Sequence, residues 1–265
     1  MPTARINEVD LYYERAGEGP EVLFVNGSGA TLETAAPILS RLRNDLDVLA
    51  FDARGLGRSG AVAGPYAMAD LARDVLGLLD HVGWTTCRMV GISFGGMLAQ
   101  EVAVTAPERF ERLVLLCTSA GGAGGSSYPL HELASLSEAA RNANSMKIVD
   151  SRYSPEWLAD HPLDQALLRV RAESASRPRS DAELQGAHEQ LMARKNHDVS
   201  ARLDRISCPT LVAYGEYDGI APKANSAYIA DHIENAELRG YEGGHLFIVQ
   251  DPAALPDVIG FLAQA

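Results

Sequence analysis

The sequence predicts an α/β protein built on a mostly parallel sheet that is covered by helices on both faces. Three observations carry this. Short, continuously apolar runs such as Val22-Leu23-Phe24-Val25 recur along the chain, the pattern of strands buried on both sides. Segments with apolar residues at helical spacing, such as Leu71, Val75, Leu78 and Leu79, alternate with them. The rhythm breaks once, from Gly121 to about Ser200, where no strand pattern occurs.

Taken in order, residues 10–15 read as an early edge strand and 22–25 as a fully apolar one, ended by Asn26-Gly27-Ser28-Gly29. Residues 31–42 suit a helix whose start Pro37 can interrupt. A strand at 48–51 leads into a glycine-rich loop, and helical spacing covers 68–81. Strand 88–92, helix 94–106 and strand 113–117 follow without long gaps. The interrupting stretch opens with Gly121-Gly122-Ala123-Gly124-Gly125-Ser126-Ser127 and then shows helical segments at 131–142, 154–160, 163–173 and 181–195. Strands at 210–214 and 236–241 flank a helix near 225–233, and a last helix covers 253–263.

The 265 residues carry 35 acidic and 23 basic side chains, a net charge of −12. Such a chain is repelled by nucleic acid and by anionic membranes, and neither is expected as a partner. No apolar run approaches the ~20 residues that span a bilayer. The first twenty residues alternate apolar and polar rather than forming a secretory leader, so a cytoplasmic location is expected. Cys87, Cys117 and Cys208 are an odd number without paired spacing, and read as buried thiols.

Chemistry concentrates at Gly91-Ile92-Ser93-Phe94-Gly95-Gly96, between an apolar strand and a helix. This is the context of a nucleophile elbow, in which a tight turn presents the serine hydroxyl. A serine needs a base, and the base needs an orienting acid. Candidates follow in the required order after later strands: Glu216 or Asp218, with Asp218 preferred, then His245 behind Gly243-Gly244. The oxyanion formed by attack needs two N–H donors, expected from Phe94 at the helix start and from Ser28 in the loop after 22–25. Gly55-Leu56-Gly57-Arg58-Ser59-Gly60 matches a dinucleotide fingerprint formally, but it opens no helix and reads as a structural turn. His197 reads as a surface residue, with contact to substrate as the alternative. No metal-ligand spacing occurs, so no metal and no cofactor are expected.

These residues resemble the α/β-hydrolase superfamily: Asp52-x-Arg54-Gly55-x-Gly57-x-Ser59, Gly91-x-Ser93-x-Gly95-Gly96-Met97, Asp218 and Gly244-His245. The resemblance implies an eight-stranded, mostly parallel sheet with a helical cap inserted after the sixth strand. Core residues are then 1–120 and 201–265, and the cap is 121–200. Within the superfamily, Asn26 and the run Gly64-Pro65-Tyr66, Asp70-Leu71, Asp74-Val75-Leu76 and Leu79-Asp80 are similar to 3-oxoadipate enol-lactonases. The cap departs from that pattern. Related dehalogenases and epoxide hydrolases use Asp at the nucleophile position, which Ser93 excludes.

The expectation is a serine hydrolase of a small ester or lactone, with Ser93 as nucleophile, His245 as base and Asp218 as orienting acid. A C–C bond hydrolase of a vinylogous diketone, a cofactor-free perhydrolase and a hydrolase-fold ligand receptor are the alternatives. A homo-oligomer is compatible with each. Tyr128, Leu136, Met146, Trp157, Leu167 and Leu168 are the large apolar groups of the cap. Some of them, with Phe94, Met97, Ile220, Leu246 and Phe247, are expected to line a closed apolar pocket above Ser93. Trp157 is equally expected inside the cap. The seven cap arginines, including Arg194, read as solvated helix faces, with an anionic substrate as the alternative.

Overall fold

A computed structural model describes residues 2–61, 64–135 and 138–264. Eight strands form one sheet: β1 (Thr3–Ile6), β2 (Val9–Ala16), β3 (Glu21–Val25), β4 (Asp47–Phe51), β5 (Cys87–Ile92), β6 (Phe110–Leu116), β7 (Thr210–Gly215) and β8 (Ala236–Tyr241). Their order is β1-β2-β4-β3-β5-β6-β7-β8. Strand β2 runs antiparallel to β1 and β4, and every pairing from β4 to β8 is parallel. The sheet is therefore eight-stranded and mostly parallel, as predicted. The segment read as an edge strand is β2, an inner one. The edge is β1, whose four residues alternate exposed and buried.

Each parallel strand feeds two cores, because successive side chains point to opposite faces. Leu23, Val25, Leu113 and Leu115 pack on one face, under α2 (Met68–His81) and α3 (Phe94–Thr105). Val22, Phe24, Val114 and Leu116 pack on the other, under α1 (Leu32–Leu42) and the C-terminal helix. Helix α1 starts at Thr31, which caps the Thr34 N–H, and it runs on through exposed Pro37. Helix α3 is buried along almost its whole length, which explains why it is apolar all round.

Between β6 and β7 the described residues form α4 (Glu138–Val149), α5 (Pro155–Asp160), α6 (Pro162–Ser176) and α7 (Asp181–Lys195), with short 3₁₀ turns and one isolated bridge between Gly121 and Asp198. Leu136 lies outside the described residues. Helix α7 sits close on the sheet domain. A Cβ on Gly55 (φ +75°) would lie 2.8 Å from the Gly186 Cα, and Tyr66 donates its hydroxyl to the Gly186 carbonyl. Past β7 come α8 (Lys223–Asp231), then β8, α9 (Phe247–Gln250) and α10 (Ala254–Ala263). No helix among the described residues is long and apolar enough to cross a membrane.

The Asp52–Ser59 turn is structural, as the sequence suggests. The buried Asp52 carboxylate accepts the Leu32 and Arg58 N–H groups, and Ser59 Oγ donates to the Asp52 carbonyl. Arg54 meets buried Asp74 through two hydrogen bonds of 2.6 Å. Removing one partner from such a pair costs about 3–5 kcal/mol.

Candidate active site

The site forms where the parallel strands end. Strand β5 turns into α3 within one residue, and Ser93 takes φ 57°, ψ −115° to make the turn. A non-glycine residue occupies this region only where its surroundings enforce it. Two hydrogen bonds do so: Ser93 N–H donates to the Leu116 carbonyl and Thr118 Oγ1 to the Ser93 carbonyl. The flanking glycines are steric necessities. A Cβ on Gly91 would lie 2.3 Å from the Gly95 carbonyl oxygen, and one on Gly95 would lie 2.1 Å from that of Val25.

His245 follows β8 and Asp218 follows β7. His245 Nε2 lies 2.9 Å from Ser93 Oγ, and Nδ1 lies 2.8 Å from Asp218 Oδ2. The other Asp218 oxygen accepts the Ile220 and Ala221 N–H groups, which fixes the carboxylate. Of the two acids weighed from sequence, Asp218 reaches the imidazole. Glu216 is exposed and meets the Tyr214 hydroxyl and Lys223 instead. All three residues are buried, Ser93 at 8% exposure, so the hydroxyl does not sit in an open groove. Burial of His245 favours the neutral imidazole, but the Asp218 charge and the Cys117 sulfur favour the imidazolium and outweigh it. The net push is upward from the ordinary histidine value.

The two N–H groups expected to hold the oxyanion belong to Phe94 and Ser28. Phe94 opens α3, so its N–H belongs to the unpaired first turn. In the loop after β3, Gly27 N–H donates to Asn26 Oδ1, Gly29 N–H to Gln190 Oε1 at 2.6 Å and Ala30 N–H to the Gly27 carbonyl. The Ser28 N–H takes no partner among the described residues.

Several contributors were invisible in sequence. Gln190, on α7 and buried, holds the loop that carries Ser28. Val149, ending α4, accepts the His245 N–H at 2.6 Å. Gln250 accepts the Gly244 N–H and donates toward Asp150, Tyr153 and Asp164. Ser151 N–H and Gly219 N–H bind the Tyr217 and Ile148 carbonyls, tying the same α4 end to the Asp218 loop. Cys117 is a buried free thiol, as expected, but its sulfur, Asp218 and His245 have ligand-type atoms within 4.8 Å of one another. Both imidazole nitrogens are already engaged by Ser93 and Asp218.

The predicted pocket residues divide. Tyr128, Trp157, Ile220 and Leu246 share one apolar cluster with Val149, Tyr153, Met146 and Leu168. Trp157 stacks on His161 at 3.5 Å between centroids and lies 5.4 Å from Tyr153, so it packs among the cap helices. Phe94 and Met97 are buried under the α3 face. Phe247 is a correction: it stacks on Tyr241 in the core beneath the opposite face and is fully buried there. Its position after His245 in sequence turns it inward with α9. A cavity of about 260 Å³ lies beside Met97, lined also by Ser119, Ser127, Pro129, His131, Arg194 and His197. His197 is buried, not superficial. A larger cleft of about 480 Å³, lined by Arg43, Arg58, Glu14 and Glu183 among others, touches none of the three site residues.

Comparison with known proteins agrees with this architecture. The family model described as "alpha/beta hydrolase fold" matches residues 20–252. A poly(3-hydroxyalkanoate) depolymerase from Ectopseudomonas oleovorans is 33% identical over 92% of this chain and 84% of its own length. The 3-oxoadipate enol-lactonase 2 of Acinetobacter baylyi is 28% identical over 95% of this chain and 92% of its own. The crystal structure of the enol-lactonase from Burkholderia xenovorans superposes with a TM-score of 0.81 at 24% identity, covering 99% of this chain and 100% of that one.

Proposed function

The chain belongs to the alpha/beta hydrolase fold family, and from that premise we propose that it is a serine hydrolase of a small ester or lactone. One observation carries the reading: an unbroken hydrogen-bond series from Ser93 Oγ through His245 to Asp218, starting at a serine held at positive φ. The enol-lactonase relative acts on a lactone, which brings that bond type into the proposal.

In this reaction Ser93 Oγ attacks the acyl carbon while His245 Nε2 takes its proton. Negative charge moves to the carbonyl oxygen, where the Phe94 and Ser28 N–H groups stabilise it. Asp218 keeps the Nδ1 proton in place and stabilises the imidazolium. His245 then returns its proton to the leaving oxygen, which departs as alcohol or, for a lactone, remains attached through the acyl chain. Water activated by the same imidazole hydrolyses the acyl-enzyme. Residues 121–200 act as a cap that limits access of water and polymer to the serine. The free, buried thiols suit a reducing, cytoplasmic setting.

A fluorophosphonate tests the assignment. It should label the protein once, at Ser93, and Ser93→Ala should take no label while keeping its thermal midpoint. Labelling of the alanine variant at unchanged stoichiometry would refute the nucleophile assignment.

A further inference from the structure

The chain leaves the sheet domain for its helical segment at Ala120-Gly121 and returns at His197-Asp198-Val199, and the two passages are pressed together. Val199 N–H donates to the Ala120 carbonyl, and Gly121 bridges Asp198. A Cβ on Gly121 (φ +73°) would lie 1.9 Å from the His197 carbonyl oxygen. His197 is held inside this hinge at 6% exposure, and its N–H donates to the Arg194 carbonyl in the last turn of α7. Both ring nitrogens are shielded from solvent and take no hydrogen bond, and the Ser119 carbonyl faces the ring outside bonding geometry. A neutral imidazole is tolerated in such a place at modest cost, whereas an imidazolium brings a charge and two donors to satisfy.

The groups around the ring make no provision for that charge. Glu101, on α3, favours the cation but is committed to Arg202 through bonds of 3.0 and 2.9 Å. Asp198, next in the chain, also favours it but already accepts the Ser200 N–H and hydroxyl. Arg202, in the 3₁₀ turn Ser200–Arg205, opposes it. Arg194 and Lys195 on α7, and His131 in the turn Leu130–Ser135, line the same cavity as His197. Arg194 Nε and Nη2 are themselves without a partner among the described residues. Burial dominates this balance and pushes His197 down to about 4, so the ring is neutral at neutral pH.

We propose that His197 is an acid-released latch of the cap hinge: neutral, it lets the two passages close over it, and charged, it drives the return passage and the end of α7 out toward water. Released, the ring takes up protons at the ordinary histidine value of about 6.5. Below that value the released hinge binds more protons than the closed one, so acid favours release, and the closed hinge is fully favoured only above it. Between pH 7.5 and 5 the ratio of released to closed hinge should rise about 30-fold. The latch reaches the candidate site through α7, which also carries Gln190, the acceptor of the Gly29 N–H in the Ser28 loop. That catalytic consequence rests on the hydrolase reading, and the latch itself does not.

Hydrogen exchange of the intact protein tests the latch without turnover. Protection of peptides covering 118–122 and 195–201, corrected for intrinsic rates and referred to β3, should fall about 30-fold from pH 7.5 to 5. His197→Met, apolar and unable to titrate, should hold the hinge protection level over that range, and His197→Gln provides a second variant that cannot titrate. An unchanged wild-type hinge, an equal fall in β3, or a fall that persists in the variants would each overturn the proposal. Nitrogen NMR of the wild-type rings gives an independent readout. The His197 ring, identified by its absence from His197→Gln, should still be neutral at pH 5.5, and a ring that charges with a midpoint above 6 would overturn the proposal as well. Fluorophosphonate labelling of Ser93 at pH 7.5 is run on the same samples. Failure to label with the expected hinge response would strike the hydrolase reading alone, while labelling with a pH-independent hinge would strike the latch alone.

Discussion

Asp218→Asn is the most demanding perturbation of the site. The Asp218 side chain is fully buried, with Oδ2 2.8 Å from His245 Nδ1 and Oδ1 fixed by two backbone N–H groups. An asparagine keeps the shape. Its oxygen remains on the Ile220 and Ala221 N–H groups, because those donors require an acceptor. Its NH₂ must then face Nδ1. The imidazole answers by carrying its proton on Nε2, the atom that has to accept the proton of Ser93. The charge is lost as well. A carboxylate and an imidazolium at about 3 Å attract by about 6 kcal/mol at an effective dielectric of about 20. Most of that attraction exists only once the imidazolium forms, so its loss falls on the barrier. The expected loss in turnover is about four orders of magnitude, the scale of a wrong tautomer. The assay is p-nitrophenyl acetate hydrolysis, with fluorophosphonate labelling rate and thermal midpoint on the same sample. Labelling should slow in parallel while the midpoint moves by only a few degrees. Activity within tenfold of wild type would refute the reasoning, as would an equal collapse in Glu216→Gln.

Activity should fall as pH drops, because protonated His245 cannot take the serine proton. The Asp218 charge favours that protonated form, so the midpoint of the acid limb in kcat/KM should lie above the ordinary histidine value of about 6.5. A midpoint below 6 contradicts this. Gln190→Leu removes the acceptor of the Gly29 N–H and should lower kcat about 10- to 100-fold with little change in KM, measured by steady-state kinetics. Asp74→Ala leaves Arg54 buried without its partner and should cost about 3–5 kcal/mol in denaturant unfolding. Trp157→Ala should lower the thermal midpoint more than it alters ester preference, since Trp157 packs between Tyr153 and His161.

The legible parts of this protein were those in which adjacent residues do the work. Apolar runs mark β3 to β7 because a strand buried on both faces has no polar alternative. The elbow is readable because its turn demands glycine at 91 and 95. Strand β1 escaped notice, although Thr3 to Ile6 alternate, because four residues of alternation are a weak signal. The burial of Arg194 was missed for a different reason. Arg194 lies in a helix whose residues look solvated, and its burial against the Tyr128 carbonyl is a contact 66 residues away in sequence. Phe247 was misread because nearness to His245 in sequence suggested nearness to the substrate, whereas α9 turns its ring into the far core. Gln190, Gln250 and Val149 act through bonds spanning about 100 residues or more, and no local pattern encodes those.

The hydrogen bond from His245 to the end of α4 bears on how such proteins can be recombined. If the helical segment were an independent module, it could be exchanged between relatives as a cassette to transplant substrate preference. Here the join is not at the hinges alone, where Val199 N–H donates to the Ala120 carbonyl. Val149 holds the base loop, Ile148 and Ser151 hold the acid loop, and Asp150 with Gln250 braces both. A chimera cut at 121 and 200 would inherit foreign partners at each of these contacts. The heritable unit is instead a split one: residues 148–153, Asp164 on α6, and Gly186 and Gln190 on α7 travel with Asp218, His245 and Gln250. Lineages that acquire new substrates should therefore vary the exposed positions of α6, such as Leu163 and Val170, before they vary the turn after α4.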